Sequence, residues 1–119
     1  REGGVIVCAA ECRDGFPNHG SYQEVLSSAP SPQALLAEIS GRPKTVPDQW
    51  QVQVQAKIQS RARVVVHSGY LGEDQLAAAH LGYTDDVATA VREALGAAGP
   101  EAALCVLPEG PQTIPYVAA

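Results

Sequence analysis

The six residues Val5-Ile6-Val7-Cys8-Ala9-Ala10 are all apolar, and the chain then turns at once into Glu11-Cys12-Arg13-Asp14-Gly15. A short Val-rich run with no polar alternation, ended by turn residues, reads as a strand buried on both faces, the mark of a parallel sheet. Two further runs have the same character, Val64-Val65-Val66 with its flanks and residues 103–107. The intervals between the runs carry helical patterns. Ser21 with Glu24 offers a capping box ahead of Tyr22, Val25 and Leu26. Ser31 caps a second helix, with Pro32 in its first turn, Leu35, Leu36 and Ile39 inward, and Gly41 as the stop. Thr84 caps another, where Val87, Ala90, Val91, Ala94 and Leu95 recur at helical spacing, and a shorter helix is expected around residues 73–79.

Residues 50–58 are the ambiguous stretch. Trp50, Val52, Val54, Ala56 and Ile58 alternate with polar residues as in a strand. Thr45 followed by Asp48, the helix-favouring Gln, Lys and Ala content, and the stacking of Trp50, Val54 and Ile58 at i, i+4, i+8 favour a helix with that stripe inward. The expected fold is therefore α/β: a mostly parallel sheet of three to four strands with helices on both faces, a three-layer sandwich forming one domain over residues 1–119.

Composition bounds the function. At 45% hydrophobic and 18% charged residues the chain has the profile of a folded domain. A formal charge of −5 has the wrong sign for neutralising nucleic-acid phosphates or resting on an anionic membrane, so neither partner is expected. An odd count of three cysteines, with Cys8 and Cys105 inside apolar runs, reads as reduced, buried thiols in the cytoplasm. The chain has no methionine, which reads as a domain cut from a longer polypeptide.

Ligands of open parallel sheets bind at the carboxyl ends of the strands, where residues 11–17, 67–72 and 108–115 should converge. Glu11, Asp14, Ser68, Gln112 and Thr113 are the candidate site residues from these loops. No phosphate loop, GxGxxG or GxSxG pattern occurs. His19, His67 and His80 match no metal-site spacing, and no metal ligand is assigned. A small self-sufficient enzyme using Ser68 with His67 or His19 is disfavoured, because adjacent strand residues point to opposite faces.

The segments from Gly3 to Gly15, Asp48-Gln49-Trp50-Gln51, the strand ending at Ser68, and the stretch from Leu107 through Pro108, Gly110 and Thr113 to Tyr116 resemble, in order and separation, the C-terminal domain of the nickel-dependent lactate racemase family. The resemblance implies a two-domain isomerase that racemises or epimerises lactate or another 2-hydroxy acid with a nickel-pincer nucleotide held between the domains. It also implies that the metal-binding and paired catalytic histidines fall in the N-terminal domain, so that no catalytic residue is assigned here and the fragment alone should be inactive. Trp50 matches a tryptophan that in this family approaches the cofactor. A non-catalytic module binding a small metabolite or a protein is the alternative expectation.

Overall fold

The computed structural model describes residues 2–17 and 20–114. His19, Pro115 and Tyr116, named above, lie outside the described residues. The element order is β1 (Gly4–Ala9), α1 (Tyr22–Leu26), α2 (Pro32–Gly41), α3 (Gln49–Gln59), β2 (Ala62–His67), α4 (Glu73–Ala78), β3 (Gly82–Tyr83), α5 (Val87–Ala98) and a 3-10 turn at Gly110–Gln112. The sheet is parallel throughout in the order β1-β2-β3, with Gly4 opposite Ala62, Ala9 opposite His67 and Val65 opposite Gly82. Parallel neighbours demand long crossovers, and α1–α3 and α4 supply them.

Helices cover both faces, as the element order predicts. Val5, Val65 and Tyr83 share a crevice with Ala90, Ala94 and Ala97 of α5. The alternate position Val64 borders a hollow with Gln59 of α3 on the other side. The densest packing lies within the helical layer, where Val25, Leu26, Ala29, Leu35, Ile39, Val52, Ala56 and Ala79 form one buried cluster.

Several expectations are corrected. The third strand is Gly82–Tyr83, whereas residues 103–107 run outside the sheet, and β1 is an edge strand with Ile6 45% exposed instead of a doubly buried one. Edge placement also leaves Cys8 exposed, and Cys105 is exposed with its run, so neither thiol is buried. Residues 49–59 do form a helix, but Val52 and Ala56 turn inward while Trp50, Val54 and Ile58 face out. The inward face is completed by long polar side chains: Gln55 Nε2 donates to the Ala79 carbonyl, and Gln59 Nε2 donates to those of Ala79 and His80. Glutamines at helical spacing thus satisfy the otherwise bare chain after α4, which apolar counting does not register.

The caps differ too. Ser21 makes no side-chain cap, and Ser31 caps α2 by accepting from the Ala34 N–H at 3.2 Å. Asp48, at φ 62°, begins α3 without capping it; its carboxylate instead accepts from the Ser21 N–H at 2.9 Å, tying the start of α3 to that of α1. Gly20 makes that grip possible, since it sits at φ +70° and a Cβ there would fall 2.1 Å from Asp48 Oδ2. Gly20→Ala is expected to cost about 1–3 kcal/mol through strain and loss of the clasp, measured by urea unfolding.

The cap of α5 is Asp86 instead of Thr84, and it accepts from the N–H groups of Ala88 and Thr89. The Thr89 hydroxyl first, then the Ala88 and Thr89 amides and Arg92, hold the Asp86 carboxyl below its ordinary value. Because the folded value is the lower one, the cap's contribution is complete above the unfolded aspartate range near about 4 and drains away as pH falls through the folded value. Asp86→Asn should therefore flatten the acid limb of the thermal-unfolding midpoint plotted against pH, with little change in its slope near neutrality.

Candidate functional site

Two loops leave the carboxyl ends of neighbouring strands and are fastened to each other. After β2 the chain turns at Ser68, whose hydroxyl donates to the Glu11 carbonyl at 2.9 Å and accepts from the N–H groups of Tyr70 and Leu71 at 3.2 Å each. One hydroxyl therefore ends β2, shapes its own loop and anchors the loop after β1. The Glu11 carboxylate points elsewhere and pairs with the Arg13 guanidinium at 3.0 Å. Arg13 in turn lies over the Tyr70 ring, 5.9 Å from its centroid, a second bridge between the loops. Cys12 adopts φ 52°, the left-handed turn that swings Arg13 across. His67, at the strand end, is held by Nδ1 at 3.1 Å from the Thr84 carbonyl, which joins the loop after β3 to the same end.

Trp50 lies in the first turn of α3, the helix that leads into β2. The last turn of α3 lies at the amino end of the sheet, where Gln59 borders a hollow with Gly3 and Ala62, and its start is tied to α1 through Asp48 and Ser21. The indole is 67% exposed, and Val54 and Ile58 continue an uncovered apolar stripe down the helix. A tryptophan with no core role is a large flat surface presented outward.

Of the expected site residues, the structure brings Glu11 and Ser68 together and places Asp14 in the same turn. It does not bring in Gln112 and Thr113. Their 3-10 turn is exposed and bonded only within itself, with Gln112 N–H and the Thr113 hydroxyl both donating to the Glu109 carbonyl. The convergence of three loops fails because residues 103–107 do not enter the sheet beside β1. Arg13 and Tyr70 were available from their loops but had no sequence signal that they would meet.

Among the described residues no three His, Cys, Asp or Glu side chains converge in a way that could hold a metal ion. A wider hollow of about 540 Å³ lies at the opposite, amino end of the strands. Gln59 and His80 are among its lining residues, their buried Oε1 and Nε2 atoms have no hydrogen-bond partner among the described residues, and neither the 11–17 nor the 67–72 loop lines it.

Comparison with known proteins identifies the family. Residues 1–114 match the family model for the lactate racemase C-terminal domain. The chain belongs to that family. Similar proteins include the lactate racemase of Lactiplantibacillus plantarum, 30% identical over 92% of this chain and 26% of that protein. The lactate racemase of Thermoanaerobacterium thermosaccharolyticum is 29% identical over 96% of this chain and 27% of its own length. The solved lactate racemase apoprotein from the latter organism superposes with a TM-score of 0.73 at 25% identity, covering 84% of this chain and 24% of that one. The chain thus spans about a quarter of the length of the relatives it matches.

Proposed function

We propose that this lactate racemase C-terminal domain serves a cytoplasmic racemase or epimerase of lactate or another small 2-hydroxy acid, as one wall of a cleft completed by an N-terminal domain. The observations that carry the reading are the exposed Trp50 ring on the first turn of α3, whose start Asp48 ties to Ser21 on the crossover leaving β1, and the joined 11–17 and 67–72 loops at the carboxyl ends of the strands. No helix among the described residues is long and apolar enough to cross a membrane, and the chain's negative charge suits neither membrane surface nor nucleic acid.

The cofactor of this reading is a nickel-pincer nucleotide. The described residues fit its covering side and not its metal: a flat, uncovered indole suits a planar ring system, while no convergent set of metal donors stands beside it. When bound, the cofactor supplies reversible hydride acceptance from the carbon bearing the hydroxyl group. Trp50 covers it and excludes water. The Ser68–Glu11 tie holds the loops in place, and Arg13, braced by Glu11 and Tyr70, offers a guanidinium to a substrate carboxylate. Acid and base groups come from the N-terminal domain.

The test is interconversion of the D and L forms of lactate and a panel of 2-hydroxy acids by the parent-length protein carrying the nickel cofactor, beside the 119-residue chain alone. Activity in the first and none in the second is the expected result. Inactivity of both, with the isolated chain binding a small metabolite by calorimetry, would make it a binding module.

A further inference from the structure

The hollow of about 540 Å³ at the amino end of the strands plays no part in the reading above, and it has the size of a small-molecule site. Pro32 and Gln33 bring the first turn of α2 to it, Gln59 the last turn of α3, Arg61 the approach to β2, and His80 and Leu81 the turn before β3. Several of these groups lack a partner. The Gln33 N–H has no backbone acceptor among the described residues, and the start of the ten-residue α2 carries partial positive charge. The Arg61 side chain is 76% exposed, and among the described residues its ionic contact is a long one, to Glu2 at 3.9 Å. Gln59 Nε2 is committed to the carbonyls of Ala79 and His80, which fixes the amide and leaves Oε1 as a buried acceptor without a donor. His80 Nε2 is likewise buried without a partner. Unmet buried polar atoms are costly, and two of them on residues that line one hollow point to a partner that enters there.

We propose that this hollow binds a small polyhydroxylated anion, a sugar acid or a sugar phosphate. The anionic group faces Arg61 and the free amide at the start of α2, the positive features of the wall. A hydroxyl answers both buried atoms, since it donates to Gln59 Oε1 and pairs with His80 Nε2 in either tautomer. A simple carboxylate or halide has no proton to give Gln59, and an uncharged sugar leaves the positive wall unanswered. The two atoms lie beneath the lining, so the His80 ring swings aside to admit the hydroxyl, while Gln59 stays held by its two carbonyls. The site stands at the end of the sheet opposite the 11–17 and 67–72 loops, is separate from the cleft they face, and does not depend on the racemase reading.

Calorimetric titration of the 119-residue chain with gluconate and with glucose 6-phosphate tests it, beside glucose, acetate and inorganic phosphate as controls. At least one of the two sugar anions should bind, one molecule per chain and about tenfold or more tighter than any control. Binding of gluconate alone would identify a carboxylate as the anionic group, and of glucose 6-phosphate alone a phosphate. Arg61→Ser, at a side chain largely in solvent, and His80→Asn, which suits the left-handed turn at φ 59°, should each weaken the binding about tenfold. Glu2→Gln, which frees the guanidinium, should strengthen it about threefold. Circular dichroism establishes that each variant is folded. No binding of either sugar anion, binding of acetate or inorganic phosphate as tight as theirs, or binding that neither Arg61→Ser nor His80→Asn weakens would each overturn the proposal.

Discussion

Leu35→Ala is expected to lower the unfolding free energy by about 3–4 kcal/mol, the largest stability effect of any single truncation considered for this chain. Leu35 has no exposed surface and sits in the cluster with Leu26, Ile39 and Val52, where α2 crosses α3. Truncation removes three buried carbon atoms and leaves a void that neighbours on two helices cannot close without breaking the Ser31 cap or the Gln55 and Gln59 bonds. A domain of this size holds about 5–15 kcal/mol in all, so the variant should keep its fold at room temperature and lose much of its margin on heating. Urea unfolding followed by far-ultraviolet circular dichroism checks it. A loss under about 1 kcal/mol would show that the helical layer is not the stabilising centre.

Trp50→Ala should do the reverse, leaving stability nearly unchanged and reducing turnover. An indole 67% exposed gives up little buried area when truncated, so the unfolding midpoint should move by no more than about 0.5 kcal/mol equivalent. In the parent-length enzyme the ring would cover the reacting centre, and loss of such a wall admits water and slackens alignment, for which about a hundredfold loss in kcat/KM is a fair scale. Trp50→Phe, retaining a flat ring, should recover part of it. Steady-state racemisation beside the denaturation midpoint separates the two effects. Full activity in Trp50→Ala would remove the tryptophan from the mechanism.

What was legible in the sequence followed from local pattern. Ser31 with Pro32, and Leu35 with Ile39, specify α2 because cap and apolar face lie within one helix. The Val-rich runs gave β1 and β2 and their parallel sense. Residues 50–58 were harder, because both of their apolar sets recur at helical spacing and only the tertiary partner selects between Val52 with Ala56 and Trp50 with Val54. The polar residues decide it: Gln55 and Gln59 find carbonyls to satisfy on one side, and that side becomes the inside. The two-residue β3 has no pattern of its own and forms because Gly82 lets the backbone pass close to Val65. Within the site, strand-end placement of Glu11 and Ser68 followed from topology alone. The stacking of Arg13 on Tyr70 joins residues 57 positions apart (70 minus 13), a meeting no local signal encodes.

The separate packing of α1–α3 bears on the order in which the chain assembles. The Asp48–Ser21 clasp spans 27 residues, and the contacts of α2 with α3 are shorter-range still. Pairing β1 with β2 requires Gly4 to meet Ala62, a loop of 58 residues (62 minus 4). Closing the longer loop from an open coil is slower and entropically dearer. If the helical layer condenses first, it reels the two strand segments toward one another and shortens the remaining search, so the sheet that carries the site is laid onto a scaffold already standing.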